Sequence, residues 1–312
     1  MDIDLVYTYV NSSDEEWLAE RNQFAMDHNN QACRFRDNNE LKYSLRSVER
    51  YAPWIRTVHI VLDGRVPDWL DTSNSKLHIL KSCEILPEEA LPCYNSNVIE
   101  SCIDQIPGLS DIFLYACDDM FLGSHVKKDF FVSDGKPLIR MRKKQIIPQD
   151  ERYYSKVLYN SQQMIAKRFG VQYNLIPLHC IDVFSKDGIR KCREEFAEEF
   201  RAALKNHIRM DTDIQKVIFH YFMIAKDMCV LKPYEDKAFF DKLKELIFPN
   251  KYLDFKYYNL DHFFNSKGGL ISFFRNPKLV CINDSEKTTE RDLRLYRILM
   301  EIKFPCKSSF ER

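Results

Sequence analysis

The sequence predicts an α/β protein whose Rossmann-like, mostly parallel sheet carries a helical insertion or lid. Short apolar runs bounded by polar residues alternate with amphipathic helical patterns over residues 1–125. Helical patterns dominate residues 126–276, and one more apolar run and a helix close the chain. We therefore expect 1–125 and 277–312 to form one α/β core and 126–276 to form the insertion.

Five short apolar runs are typical of buried strands. They are LVYTYV (5–10), VHIVL (58–62), LHIL (77–80, the weakest), IFLYAC (112–117) and LVCI (279–282). Four of them lead into acids or amides, at Asn11, Asp63, Asp118-Asp119 and Asn283-Asp284. Such residues commonly start turns. However, ligands of open α/β sheets bind outside the carboxyl ends of the strands, so four polar strand ends favour a polar, metal-binding rim.

Helical periodicity fills the intervals between these runs. Leu41, Leu45 and Val48 recur on one helix face, and a second helix is predicted from Val98 to Ile106 behind an Asn95 N-cap. Further helices are expected over 151–168, 186–204, 212–226, 235–247 and 286–302.

Composition excludes several classes of protein. The 46 basic and 46 acidic residues give a formal net charge of zero, which argues against a nucleic-acid partner. The ten cysteines form no CxxC pair and have no zinc spacing, so we expect reduced thiols. No stretch resembles a signal peptide or a membrane span, which predicts a cytoplasmic protein with at most peripheral contact at the inner face of the membrane. Dinucleotide and P-loop motifs are absent from the sequence.

The acidic pair Asp118-Asp119 is the sharpest candidate for chemistry. Adjacent carboxylates are costly to bury unless a cation neutralises them, and a hard divalent cation would also hold a diphosphate. Glu100 lies four residues before Asp104, an arrangement that either a nearby cation or a solvated helix face explains. Asp284 either adds a metal ligand or starts a turn.

Two later residues have both a structural and a chemical interpretation. His179 lies in an apolar setting where a histidine is usually a core residue, yet an imidazole also suits proton transfer from a hydroxyl. Arg209 joins two predicted helices and either bonds helix carbonyls or reaches a phosphate.

A dense polar cluster precedes the first long helix, in the stretch RFRDNNELKYSLRS that starts at Arg34. Asp37 and Asn38 are good helix caps. Capping does not explain Arg34 or Arg46, because the dipole of a helix start prefers anions. A phosphate bound there would satisfy both the arginines and the helix N-terminus.

Four blocks of sequence together resemble the Stealth family. They are IDLVYTYVNSSDEEW, RFRDNNELKYSLRSVERYAPWIRTVHIVLDG, YNSNVIESCIDQIPGLSDIFLYACDDMFLG and the late KLVCIND with FPCKSSFE, so the resemblance spans 3–311. The family includes bacterial capsular-polysaccharide hexose-phosphate transferases and the catalytic core of the animal lysosomal-enzyme N-acetylglucosamine-1-phosphotransferase. The chain departs from the family pattern at Tyr9, Ser12 and Cys117, where tryptophan, glycine and asparagine are usual, and after His179, where x-Pro is expected.

The resemblance implies a reaction and its participants. A sugar-1-phosphate would pass from a nucleotide-diphosphate sugar, with a UDP-N-acetylhexosamine type favoured, to a hydroxyl of a glycan acceptor, free or lipid-linked. The product is a phosphodiester of a capsular or cell-surface polysaccharide, and a nucleoside monophosphate leaves. A metal-dependent glycosyltransferase, which would release a nucleoside diphosphate, and a catalytically inactive binding protein are the alternatives.

The resemblance also implies roles for individual residues. A divalent cation, Mg²⁺ or Mn²⁺, would be held by Asp118, Asp119 and Asp284. The substrate-binding residues would be Asn11, Arg34, Asp37, Glu40, Arg46 and Arg209. Asp119, Glu100 and His179 would be catalytic, and which of the three is the general base stays open.

Overall fold

The structure is a computed structural model that describes residues 1–24, 31–144, 152–234, 254–266 and 268–312. Its strands are β1 (Asp4–Thr8), β2 (Val58–Val61), β3 (Leu77–Leu80), β4 (Ile112–Ala116), β5 (Met120–Leu122), β6 (Val132–Ser133), β7 (Lys136–Lys143), β8 (Leu175–Pro177), β9 (Asp182–Ser185), β10 (Val230–Tyr234), β11 (Phe255–Asn259) and β12 (Leu279–Asn283).

The α-helices of the described ranges are α1 (Glu15–Asn22), α2 (Glu40–Tyr51), α3 (Ser96–Glu100), α4 (Tyr153–Phe169), α5 (Lys186–Glu195), α6 (Ala197–Ala203), α7 (Val217–Ala225), α8 (Leu260–Phe263), α9 (Gly269–Phe274) and α10 (Glu290–Lys303). None of the helices in these ranges has both the length and the apolar character needed to cross a bilayer. The predicted helix at 235–247 lies outside the described residues.

The main sheet has five strands in the order β3-β2-β1-β4-β9. The first four run parallel, and β9 pairs antiparallel with β4 at the edge. The residues of β2 and β4 are buried throughout, as expected for parallel strands covered on both faces. The chain winds from β1 outward to β3 and then returns to β4 on the other side, so a topological switch point lies between β1 and β4. The predicted mostly parallel, Rossmann-like sheet is confirmed.

The closing strand β12 lies in a different sheet from the one we expected. It pairs antiparallel with β5 and parallel with β11, which makes a separate three-stranded sheet. β5 follows β4 after a tight turn at Asp118-Asp119, and the backbone N–H of Ile282 in β12 donates to the carbonyl oxygen of Asp119 at 3.1 Å. The acidic pair therefore marks the junction of the two sheets.

The segment 126–276 is more than a helical insertion. Helices α4 to α7 lie where helical patterns predict them, but the segment also contains β6 to β11. Its strand β9, with Val183 and Phe184 buried, completes the main sheet. The physical reason is that β4 would otherwise present an unpaired row of backbone N–H and C=O groups at a buried sheet edge.

Helix α3 is shorter than its periodicity predicts. The Asn95 side chain caps it as expected, accepting a hydrogen bond from the N–H of Asn97 at 3.1 Å. The hydroxyl of Ser101 then donates to the carbonyl of Val98 at 2.6 Å and so competes with the helical backbone bonds. The helix ends at Glu100, and a 3₁₀ turn from Ile103 to Gln105 follows.

Arg46 is part of the internal framework, and this corrects its assignment to a phosphate site. Its Nε and Nη2 donate to the carboxylate of Glu311, both at 2.8 Å, and its Nη1 donates to the carbonyl of Phe304 at 2.7 Å and to Glu301 at 3.0 Å. The side chains of Arg46 and Glu311 are 5% and 2% exposed. The pair fastens the C-terminal segment to α2, whose apolar face packs on the sheet as predicted.

Replacing Arg46 with alanine is expected to lower the free energy of unfolding by about 3–5 kcal/mol, because the buried Glu311 carboxylate loses its partner. Arg50→Ala is the matched control on the same helix. Arg50 is exposed, so we expect a change of about 0.5 kcal/mol or less. Urea unfolding measures both variants, and equal stabilities for the two would contradict this role of Arg46.

Candidate functional site

A cavity of about 610 Å³ opens at the carboxyl ends of β1, β2 and β4. Thr8 and Tyr9 from the end of β1, Asp63 after β2, and Cys117-Asp118 after β4 form its floor. α1, α3 and the segments around residues 34–37, 152–157, 177–179 and 209–216 supply its walls. Its position is the one that the winding of the sheet requires, because the crevice at a switch point is where the loops diverge.

One wall of the cavity is cationic. Arg21, Arg34 and Arg209 all line it. Burial lowers the pKa of Arg34 and of Arg21, and the charge of the nearby Arg209 lowers both further. Arg209 is held by a hydrogen bond from its Nη2 to the Ser96 hydroxyl at 2.8 Å, and the Arg21 guanidinium stacks 4.4 Å above the Phe35 ring centroid. Three guanidinium groups that repel one another define a strong anion site.

The cavity also has acidic lining residues. Asp118 lines it, and burial raises the pKa of its carboxyl group to about 7, with added repulsion from Asp119 and Asp37. Asp37 also lines the cavity and accepts a hydrogen bond from the Tyr9 hydroxyl at 3.1 Å. Carboxylate oxygens are the ligands that a hard divalent cation prefers, so Asp118 and Asp37 fit the implied Mg²⁺ or Mn²⁺.

Glu100 lies at the back of the cavity in a buried hydrogen-bond chain. Its Oε1 accepts from the Tyr115 hydroxyl at 2.7 Å, and that hydroxyl is 2.6 Å from Oγ1 of Thr8. Burial raises the pKa of Glu100, while the charges of Lys216 and Arg209 oppose the rise. Lys216 also lines the cavity, and its Nζ donates a hydrogen bond to Asp182 at 2.5 Å.

His179 and Asp119 meet at the edge of the cavity. The imidazole Nε2 lies 3.9 Å from Oδ2 of Asp119, and the His179 side chain is 42% exposed. Asp119 points away from Asp118 towards β12, where the thiol of Cys281 donates to its Oδ2 at 3.2 Å. The other oxygen, Oδ1, is buried without a hydrogen-bond partner. His179 therefore lies between the cavity and the Asp119 carboxylate, which does not line the cavity itself.

Asn11 does not line the cavity, although its neighbours Val10 and Ser12 do. Its amide donates to the carbonyl of Arg65 at 2.8 Å, and its Oδ1 accepts from the backbone N–H and the hydroxyl of Ser13. Both ends of the amide are thus used inside the protein. Asn11 therefore shapes the loop after β1.

Glu40 is also internal. The N-cap of α2 is Asn39, with φ of 63°, and its side chain makes no cap hydrogen bond. Instead, Asp37 Oδ1 accepts from the Asn39 N–H at 2.7 Å, and Glu40 Oε2 accepts from the Asn38 N–H at 2.5 Å. The two carboxylates close a turn before the helix. This turn differs from the predicted helix cap by Asp37 or Asn38. Of Asp37, Asn38 and Glu40, Asp37 is the residue that lines the cavity.

Asp284 is occupied by an ion pair. Arg36 Nε lies 2.9 Å from its Oδ2, and Arg36 also donates to the carbonyl of Ser285 at 2.6 Å. Among the described residues, the acid, histidine and cysteine groups that gather within 4.8 Å are Asp119, His179 and Cys281, and Asp284 is not one of them. The three-aspartate metal site that the sequence suggested is therefore not assembled.

Four basic residues that line the cavity are not predicted from the sequence, namely Arg21, Arg36, Arg152 and Lys216. Arg21 stands in the last turn of α1, where a cation is explained by the helix dipole alone. Lys216 stands before a run of apolar residues, and that unusual setting was the one available signal.

An Asp118→Asn variant should differ from the native protein in the pH dependence of its stability. A carboxyl pKa raised in the folded state means that the folded chain binds more protons than the unfolded chain between about pH 4 and pH 7. The free energy of unfolding of the native protein should decrease as the pH rises through that window. The free energy of unfolding of Asp118→Asn should not show this decrease. Urea unfolding with a chelator present measures both, with exposed Asp68→Asn as control. Parallel stability curves for native protein and Asp118→Asn would contradict the assignment.

Solved structures with a similar outline are glycosyltransferases. A crystal structure of the galactosyltransferase LgtC with donor and acceptor sugar analogues aligns with a TM-score of 0.47 and 12% identity, covering 98% of this chain and 97% of that one. The glycosyltransferase GlyE of Streptococcus pneumoniae aligns with a TM-score of 0.45 and 7% identity, covering 98% and 62%. Similarity at this level carries no argument about this chain.

Sequence relatives are far more similar. The model of Stealth protein conserved region 2 matches residues 34–139. Capsular polysaccharide phosphotransferase fcs1 of Haemophilus influenzae is 33% identical over 250 residues, which cover 74% of this chain and 68% of fcs1. Exopolysaccharide phosphotransferase cps2G of Lactiplantibacillus plantarum is 39% identical over 186 residues (59% and 54%), and SacB of Neisseria meningitidis serogroup A, a capsular polysaccharide phosphotransferase, is 30% identical over 324 residues (100% and 57%). The chain thus spans about two thirds of fcs1 and little more than half of the other two. On these matches, the chain belongs to the Stealth family.

Proposed function

We propose that this chain transfers a sugar-1-phosphate from a nucleotide-diphosphate sugar to a hydroxyl of a glycan acceptor. The observation that carries the proposal is the cavity at the switch point, which is lined by arginines, among them Arg21, Arg34 and Arg209, and by the carboxylates of Asp37 and Asp118. A diphosphate needs both features, because its oxygens bind guanidinium groups and share a divalent cation with carboxylates. The relatives named as polysaccharide phosphotransferases support the same chemistry.

The donor would lie across the cavity with its diphosphate against Arg21, Arg34 and Arg209. Trp17 and Tyr94, whose ring centroids are 5.4 Å apart, both line the cavity and offer an aromatic surface for the nucleobase. A cavity of about 610 Å³ is within the usual range for a small-molecule site. A UDP-N-acetylhexosamine is the donor type we favour.

In the reaction, the acceptor oxygen attacks the phosphorus that bears the sugar. Its proton passes to Nε2 of His179. The bond between the attacked phosphorus and the bridging oxygen breaks, and the nucleoside monophosphate leaves with that oxygen. Of the three candidate bases, His179 is the one that is exposed at the cavity, with Asp119 behind it to stabilise the imidazolium. Glu100 instead accepts a hydrogen bond from Tyr115, and its negative charge offsets the positive charges of Arg209 and Lys216. A divalent cation at Asp118 and Asp37 would neutralise charge on the diphosphate.

The acceptor is an oligosaccharide or polysaccharide, free or lipid-linked, of a capsular or cell-surface polymer. We place the reaction in the cytoplasm or at the inner face of the cell membrane. The support for the class of acceptor is the names of the relatives, which are capsular and exopolysaccharide phosphotransferases.

The nucleotide released during turnover distinguishes the proposed reaction from its alternatives. Purified protein incubated with nucleotide sugars and a glycan acceptor should release a nucleoside monophosphate and form a phosphodiester, visible by chromatography and phosphorus NMR. Release of a nucleoside diphosphate would instead show a glycosyltransferase. Binding of a donor with no release of either nucleotide would show an inactive binding protein.

Alanine in place of Arg21 or Arg34 should weaken binding of UDP by about 10–100-fold for each variant, because each removes a charge-assisted hydrogen bond to phosphate. Isothermal titration calorimetry gives the dissociation constants. Arg190→Ala is the control, since Arg190 is exposed on α5 and pairs there with Asp187 and Glu194. UDP affinities that are equal in Arg21→Ala, Arg34→Ala and the native protein would place the diphosphate elsewhere.

A further inference from the structure

Asp119, His179 and Cys281 form a group whose donor atoms are unlike those of a magnesium site. One carboxylate oxygen, one imidazole nitrogen and one thiol sulfur all lie within 4.8 Å of one another. Each comes from a different part of the chain: the β4–β5 turn, the loop between β8 and β9, and β12. The β4–β5 turn positions Asp119, strand β12 positions Cys281, and the loop between β8 and β9 positions His179. The fold therefore brings the three side chains together.

We propose that this trio is a binding site for a borderline-soft divalent cation of the zinc type. Zinc takes ligands from cysteine sulfur, histidine nitrogen and carboxylate oxygen, and three protein ligands with an open position are a usual arrangement for it. Magnesium and manganese prefer oxygen and would gain little from a thiol. The inference goes beyond the donor chemistry proposed above and does not rest on it.

The hydrogen bonding of Asp119 supports the site. Its Oδ2 accepts the Cys281 thiol proton, which is a weak donor, and its Oδ1 is buried with no hydrogen-bond partner. A buried carboxylate oxygen is expensive to leave unsatisfied. When a cation binds, the Cys281 thiol loses its proton to the buffer, a sulfur–metal bond forms, and Asp119 gains a cationic partner.

Among the described residues, His179 is the most exposed member of the trio. Cys281 is fully buried, whereas His179 is 42% exposed and lines the cavity. The ring of Tyr257 packs edge-on against His179 with centroids 5.7 Å apart and limits its rotation. A cation would enter along His179, and its open coordination position would face the cavity.

Binding has a consequence for the residues at the cavity edge. A cation on this trio occupies the Nε2 of His179 and the carboxylate of Asp119, the groups that the proposed reaction uses for proton transfer. The site is separate from the hard-cation position at Asp118 and Asp37, because the side chains of Asp118 and Asp119 point in different directions. Thiophilic cations and proton transfer by His179 are therefore mutually exclusive.

Cobalt(II) is the probe that tests this site, because a thiolate ligand gives Co²⁺ an intense charge-transfer absorption in the near ultraviolet. Titration of the full chain with cobalt chloride, with the thiols reduced, should produce this band and saturate at a single equivalent. Zinc should displace the band, and excess magnesium should leave it unchanged. Absence of the band at saturating cobalt would overturn the proposal.

Matched variants assign the band to its ligands. Cys281→Ser should abolish it, and His179→Ala, a change at an exposed side chain, should weaken cobalt binding by more than about tenfold. Cys192→Ser is the control, because Cys192 is a buried thiol on α5 outside the trio. A band that survives in Cys281→Ser would place the metal on another thiol, such as Cys117 or Cys180, and contradict the site. The readout needs no turnover, so an inactive protein that retains the band would refute the proposed function alone.

Discussion

The turn at Asp118-Asp119 is the constraint on which the rest of the structure depends. It ends β4 of the main sheet and starts β5 of the second sheet, and the Asp119 carbonyl accepts the hydrogen bond from Ile282 that joins β12 to it. The two side chains of the turn diverge, since Asp118 lines the cavity while the Asp119 carboxylate accepts a hydrogen bond from the Cys281 thiol. One junction therefore supplies both the acidic wall of the cavity and the carboxylate behind His179.

Buried charged groups of the cavity have pKa values shifted from their usual range. Burial and mutual repulsion lower the pKa of Arg34 and raise that of Asp118. Each shift records a free-energy cost that the folded protein carries, and a bound diphosphate with its cation would relieve both at once. In the framework, Arg46 is paired with the buried carboxylate of Glu311.

How much the sequence could predict depended on how far apart the interacting residues are in the chain. Apolar runs and their polar ends are local, so the parallel strands and the position of Asp118 at the cavity were predictable. The predictions of a substrate role for Arg46 and Asn11 and of a metal-ligand role for Asp284 fail because the partners of these residues are remote in sequence or are backbone atoms. Glu311 lies 265 residues from Arg46, and Arg36 lies 248 residues from Asp284. Strand β9 is not predicted for a similar reason, since it forms by pairing with β4, which lies far from it in the sequence.

The central claim is that the cavity between β1 and β4 holds the diphosphate of a nucleotide sugar between the arginines and Asp118. A crystal structure of this chain with a non-hydrolysable UDP-sugar analogue and Mn²⁺ tests it most directly. We expect both phosphorus atoms on the wall formed by Arg21, Arg34 and Arg209, with anomalous scattering from Mn²⁺ at the Asp118 carboxylate. A fully occupied analogue bound outside this cavity, or inside it with the diphosphate turned away from these arginines, would contradict the account.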